Sequence, residues 1–158
     1  MTRVISIVST AVRQDLVPVT ARWRWQAFFK EETSLDEMLR LEEECASNDD
    51  LMPTVLVMLD DEKPVGMIAL CLDDLEGRPE LNPWLAGVYV DHAHRGKGYA
   101  LRLIEALEAL ARREGISRLS LYTSSSVGLY RKAGWAQIET FVRDGNEYSI
   151  MQKNLSLN

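Results

Sequence analysis

The chain has 158 residues, 46% of them hydrophobic and 27% charged, an ordinary globular composition in a length that fits a single domain spanning 1–158. Eighteen lysines and arginines against 24 acids give a formal charge of −6, a field that repels nucleic acid and anionic membrane and mildly favours a cationic partner. Cys45 and Cys71 make neither a disulfide framework nor a CxxC metal pair, and no apolar stretch nears the ~18 residues of a spanning helix, so a cytoplasmic protein in a reducing interior is expected.

Residues 3 to 9 alternate apolar and polar and predict a first strand. A helix is expected from Asp15 to about Lys30, with Pro18 tolerated in its first turn and the cluster "RWRWQAFF" giving it bulk, in which Trp25 pairs with Phe28 and Phe29 at i+3 and i+4. "SLDE", with Glu37 three residues after Ser34, is a capping-box signature for a second helix ending near Ser47. Two apolar β-rich runs, about 53 to 59 and 65 to 72, predict a hairpin around a polar turn. The ten-residue segment "DDLEGRPELN" is longer than most connections and is a candidate functional loop. The strand "WLAGVYV" follows and runs into "HAHRGKGYALRLI". From there Ala100, Leu103, Ile104, Leu107, Leu110 and Ala111 form the stripe of a helix packed on a sheet, ended by Gly115. "SRLSLYT" reads as a strand, the serines 124 to 126 as the cap of a short helix through Lys132, Gly134 as its close, and two last strands flank "RDGN". Strands and helices mix without strict alternation, which predicts a mixed sheet covered by helices.

A strand, a basic glycine-rich turn and a helix start place unpaired N–H groups and the positive end of a helix dipole around one point suited to phosphate. Gly96 and Gly98 let a phosphate approach the backbone, and Arg95 and Lys97 add charge. A Walker loop fails: Asp91 stands where its first glycine belongs and Gly98 where its hydroxyl belongs. A dinucleotide fingerprint finds Leu101 at its third glycine, outside any βαβ unit. What matches is RxxGxA, carried by Arg95, Gly98 and Ala100, with "GLYRKAGW" about 30 residues downstream supplying a tyrosine on a short helix followed by glycine and an aromatic.

With these two signatures the chain resembles the GNAT superfamily of N-acetyltransferases over nearly its whole length. The resemblance implies an α/β (α+β) fold: a mixed, mostly antiparallel sheet splayed at the cofactor strand and flanked by about four helices. It implies acetyl-CoA as co-substrate, no metal, and direct transfer of the acetyl group to an amine of a small molecule or peptide. The amides from Arg95 through Gly96, Lys97, Gly98, Tyr99 and Ala100 would cradle the pyrophosphate, and the pantetheine arm would lie along Val88, Tyr89 and Val90. A backbone N–H of that strand would polarise the thioester carbonyl, a contribution often worth ~3 kcal/mol. Tyr130 matches the family's proton donor to the departing thiolate.

The family's carboxylate near the start of the cofactor strand is missing, since that stretch reads Asn82, Pro83, Trp84. Asp74 and Glu80 just upstream are the candidate bases, with Asp73 and His92 as further possibilities; His94 belongs to the basic rim, and an HxH pair without a third ligand is no metal site. In the resembled fold the aromatic helix walls the acceptor pocket, which makes Trp25 and Phe29 candidate substrate contacts beside a core role for the other face. Trp84 and Trp135 are expected to pack near the cofactor strand and the tyrosine helix. Two alternatives compete: a non-catalytic CoA-binding regulatory module, favoured by the missing acid and opposed by Tyr130, and a nucleotide-binding protein using the same loop. A homodimer is compatible with all three.

Overall fold

The computed structural model describes residues 3–47 and 52–156. Seven strands form one mixed sheet in the order β1-β2-β3-β4-β5-β7-β6. These are β1 Ile5–Ser9, β2 Thr54–Asp60, β3 Lys63–Cys71, β4 Trp84–Val90, β5 Arg118–Thr123, β6 Ala136–Arg143 and β7 Asn146–Asn154. The β4–β5 ladder is parallel, and β1–β2, β2–β3, β5–β7 and β6–β7 are antiparallel. Among the described residues the α-helices are α1 Val17–Arg24, α2 Leu35–Ala46, α3 Tyr99–Arg113 and α4 Val127–Lys132. This is the mixed, mostly antiparallel sheet with four helices that the resemblance implied. The chain forms two compact units, one through Leu70 together with Gly87–Leu107, the other Cys71–Ala86 together with Glu108–Asn158.

In the first unit β2 and β3 are joined by Asp61 and Glu62, both with positive φ (48° and 71°), the two-residue connection whose twist suits a hairpin. Alternate residues of these strands, Val57, Leu59, Met67 and Ala69, bury one face against Leu16 and Trp23. That contact makes Trp23, rather than Trp25, the core member of the aromatic cluster. Gly66 has a packing role: a Cβ there would stand 3.0 Å from the Tyr89 carbonyl oxygen and 3.1 Å from Leu103 Cδ1, so only glycine lets β3 approach so closely.

The expected single helix over 15 to 30 is instead three pieces: a 3-10 turn Gln14–Leu16, α1 with Pro18 at its start, and a π-helical turn Trp25–Phe29. The wider turn breaks the i, i+3 and i, i+4 spacing read for Trp25, Phe28 and Phe29, and Phe28 faces solvent. At α2 the Ser34 hydroxyl accepts from the Glu37 N–H at 3.1 Å, as the sequence predicted. The other half of the box is absent because Arg40 takes the Glu37 carboxylate.

In the second unit α3 closes as its sequence suggested: Gly115, at φ 78°, donates to Arg112 and Ile116 to Ala111. Gly134, at φ 95°, closes α4 in the same manner, donating to Arg131 while Trp135 donates to Tyr130. The serine cap expected for α4 does not form. Ser126 makes no side-chain cap bond, and its N–H is taken by Thr123 Oγ1 at 3.1 Å, so the hydroxyl just before the serine run organises the turn.

Glu108, on the apolar side of α3, is 3% exposed. Its carboxylate receives Lys153 Nζ at 2.6 Å and Trp135 Nε1 at 3.2 Å, with Arg112 at 3.8 Å. One carboxylate thus ties α3 to β7 and to Trp135, the residue after the glycine that closes α4. Removing one partner of a buried ion pair typically costs 3–5 kcal/mol because the other charge stays buried. Glu108→Ala is therefore expected to lower unfolding stability by about 3 kcal/mol in denaturant titration, and a loss below about 1 kcal/mol would show the pair to be incidental.

Candidate active site

The basic turn after β4 is built by the backbone. β4 ends at Val90, and the Asp91 N–H donates to the Val65 carbonyl at 2.8 Å, fixing where the strand leaves the sheet. A 3-10 turn His92–His94 and an extended Arg95 lead into Gly96 and Gly98, at φ 81° and 79°. A Cβ on either glycine would meet nothing within 4 Å, so both stand for their left-handed conformation and not for lack of room. The Arg95 amide, expected in the cradle, instead donates to the His92 carbonyl at 3.4 Å, and the next amide to bond back is Arg102, to the Gly98 carbonyl at 3.2 Å. Among the described residues, the amides from Gly96 to Leu101 donate to no backbone acceptor. They open a helix of 15 residues whose positive dipole end lies there.

Side chains around the bend divide the work. Arg95 folds back: Nε donates to the Val90 carbonyl at 2.8 Å and its guanidinium lies 5.6 Å from the Tyr89 ring centre, while Lys97 stays exposed. Tyr99 points inward, its hydroxyl 3.4 Å from Asp60 Oδ2, so only its amide faces the bend. His94 is pinned beside Asp91, Nδ1 to Oδ2 3.4 Å, without the alignment of a hydrogen bond.

Val88, Tyr89 and Val90 are half-buried on β4, whose parallel ladder to β5 pairs Trp84 with Ser120. Gly87, at φ 61°, lies within the strand just before them. A glycine inside an apolar strand is itself a sequence signal of a bulge or close approach. Arg24 Nε stands 3.8 Å from where a Gly87 Cβ would be, and Arg24 Nη1 bonds the buried Glu42 at 2.8 Å. Phe29 lies under the Arg24 guanidinium at 5.7 Å, and Trp25 is tied by Nε1 to the Thr33 carbonyl at 2.8 Å.

The second unit carries the other candidates. Tyr130, on α4, is 6% exposed and packs edge-on against Trp135 at 6.0 Å; burial pushes its phenol up to about 12. In the loop between β3 and β4, Asn82 bonds Asp73 through both backbone and side chain and accepts from Trp84 Nε1 at 2.8 Å. Glu80 is bound by Arg78 at 2.8 Å, which holds its carboxyl below the usual carboxylate range and makes it a poor proton acceptor. Asp74 lies in the same loop, its carbonyl 3.5 Å from the Tyr122 hydroxyl. Among the described residues no group of three or more His, Cys, Asp or Glu is arranged to hold a metal, and no helix is long and apolar enough to cross a membrane.

The fold agrees with that of known proteins. The sequence model of the acetyltransferase (GNAT) family matches residues 18–135. No curated protein matches the chain. Solved structures do: an N-acetyltransferase of Staphylococcus aureus Mu50 superposes with TM-score 0.74 at 16% identity over 98% of this chain and 99% of that one. yncA of Salmonella typhimurium, solved with its cofactor acetyl-CoA, gives 0.72 at 19% over 100% and 96%. A GNAT-family acetyltransferase of Streptococcus pneumoniae gives 0.68 at 17% over 97% and 99%. The run of open amides is thus found in a family chain at the position of its RxxGxA signature: the protein belongs to the acetyltransferase (GNAT) family.

Proposed function

We propose that the protein is an N-acetyltransferase that moves the acetyl group of acetyl-CoA directly to an amine. The observation that carries this reading is the uncommitted run of amides from Gly96 to Leu101, shaped by two left-handed glycines at a helix start, in a chain of this family. Open N–H groups at a helix start favour an anion, and a run that two left-handed glycines extend to six suits a diphosphate. Lys97 adds charge, and the Arg95 stack braces Tyr89 on the strand that would meet the pantetheine arm.

Acetyl-CoA supplies the activated acetyl group as a thioester. In our reading, Val88, Tyr89 and Val90 pair with the arm as an added strand, and a main-chain N–H there donates to the thioester carbonyl as negative charge gathers on its oxygen. The amine nitrogen forms its bond to the acetyl carbon as the carbon–sulfur bond breaks; one proton leaves the nitrogen and one ends on sulfur. For Tyr130, with its phenol near 12 against a thiol at about 8.5, full donation would be uphill by ~5 kcal/mol, so its role is a hydrogen bond to the departing sulfur. Arg78 disfavours Glu80 as base, and we assign Asp74 the amine proton, directly or through water. Trp25 and Phe29 are assigned to the acceptor wall. The acceptor is a small-molecule or peptide amine.

The missing acid at the start of β4, where Asn82 is instead committed to Asp73 and Trp84, favours a second reading, a CoA-binding regulatory module. Thiol release from acetyl-CoA across a panel of amines decides: acceptor-dependent release is expected, and CoA binding without release for any amine would establish the module. Gly98→Val forces a branched residue into φ 79° and fills the bend, so CoA affinity is expected to fall at least tenfold by calorimetry while unfolding stability drops by about 1–2 kcal/mol. Unchanged affinity would move the pyrophosphate elsewhere. Tyr130→Phe is expected to keep CoA affinity and lower turnover at least tenfold; equal turnover would remove the hydroxyl from the reaction. Because the folded phenol titrates above its ordinary value of 10, the stability it lends is complete below pH 10 and lost as pH rises towards about 12. Alkaline absorbance titration should therefore lose a late-ionising tyrosine in the Phe variant, and the loss of one ionising near 10 would contradict the burial argument.

A further inference from the structure

The three strands at the end of the sheet order carry a group of rings that the proposed reaction does not use. Phe141 on β6 pairs directly with Tyr148 on β7, and Tyr122 on β5 pairs with Ile150, two residues on from Tyr148, so all three rings lie on one face of the sheet. Phe141 and Tyr148 stack at 5.2 Å and 13°. Tyr122 stands as a wall to both, at 5.8 Å and 64° from Phe141 and 5.7 Å and 74° from Tyr148. Trp84 extends that wall, edge-on to Tyr122 at 5.9 Å. The corner already holds a cation: the Arg143 guanidinium lies 5.1 Å from the Tyr148 ring centre, 5.3 Å from Tyr122 and 5.9 Å from Phe141.

Tyr122 and Phe141 also pack against the buried Leu81, Trp84 and Ile150, which holds the walls of the corner independently of Arg143. Phe141 and Arg143 share a face because they are two apart on one strand, and Arg143 reaches back from beside the Asp144–Gly145 turn to fill the corner. Arg143 is exposed and its hydrogen bond to the Tyr122 hydroxyl is long, 3.5 Å, so another cation can compete with it for the same three ring faces. Acid lies close: Tyr122 meets the Asp74 carbonyl and feels its carboxylate, and Glu139 stands two residues before Phe141 on the same face, held by Arg78. Ring faces with a carboxylate at their rim recognise alkylammonium and guanidinium groups.

From this geometry we infer that Tyr122, Phe141 and Tyr148 form a subsite for a cationic group of the acceptor, and that Arg143 occupies it in the free protein and yields it on binding. The inference rests on the N-acetyltransferase reading only for the word acceptor. As the acceptor class it names an amine carrying a second, permanently cationic group, matching the chain's charge of −6.

Choline, its neutral isostere 3,3-dimethylbutan-1-ol, and acetate serve as probes, titrated into the full chain with tyrosine and phenylalanine ring signals followed by NMR. Arg143→Ala vacates the corner without touching the rings. It is expected to bind choline at least about tenfold more tightly than the wild type does, and to prefer choline over the isostere by at least the same factor. Phe141→Leu in the same background is expected to abolish that preference. Equal binding of choline and the isostere would overturn the subsite. So would acetate binding by the wild type that Arg143→Ala loses, which would make Arg143 an anchor for anions. The titration involves no acetyl transfer, so its failure is distinct from failure of the thiol-release assay.

Discussion

Six consecutive amides with no acceptor in the main chain are the feature on which the rest of the account depends. Any α-helix leaves its first amides open, and Gly96, Lys97 and Gly98 are exposed to water; what distinguishes this run is that packing on either side forces its direction. Here the force comes from both ends. On one side the Asp91 N–H is fixed to Val65 and Arg95 is tied back to Val90. On the other, α3 is immobilised by Leu103, Ile104 and Leu107, each fully buried, and by Tyr99 reaching Asp60. Gly96 and Gly98 then turn the chain through a conformation that other residues resist. The bend is rigid because its neighbours are packed, which is what a preorganised anion site requires.

Much of this was legible in the letters because it lives in short-range patterns. The α3 stripe, the Ser34 cap, the hairpin turns and the Gly115 and Gly134 closures are local choices that agree with the fold, and RxxGxA lies within six residues. What was not legible depends on distant neighbours. Trp23 rather than Trp25 is core because Trp23 meets Tyr89, 5.2 Å away between ring centres, and no helical wheel contains β4. The π-helical turn at Trp25–Phe29 changes the very period on which the aromatic pattern was read. The serines before α4 were read as caps on composition, yet Thr123 captures the amide first.

Candidate chemistry divides along the same line. Tyr130 stands out by its signature, and the hydrogen-bonding role we propose for it rests on burial, which holds the phenol protonated. Glu80 was plausible by position, and an arginine two residues away in sequence, Arg78, then binds it. The ring corner of Tyr122, Phe141 and Tyr148 comes from three strands and has no linear signature beyond the alternation of β6 and β7. Glu42 and Arg24, paired in the first unit beside Gly87, likewise come together only in the fold.

The most direct test follows the backbone amides themselves. In a nitrogen-15 NMR titration the account predicts that CoA shifts the resonances of Gly96 to Leu101 together and that pantetheine, which lacks the diphosphate, leaves them in place. CoA bound with those six signals unmoved would contradict it.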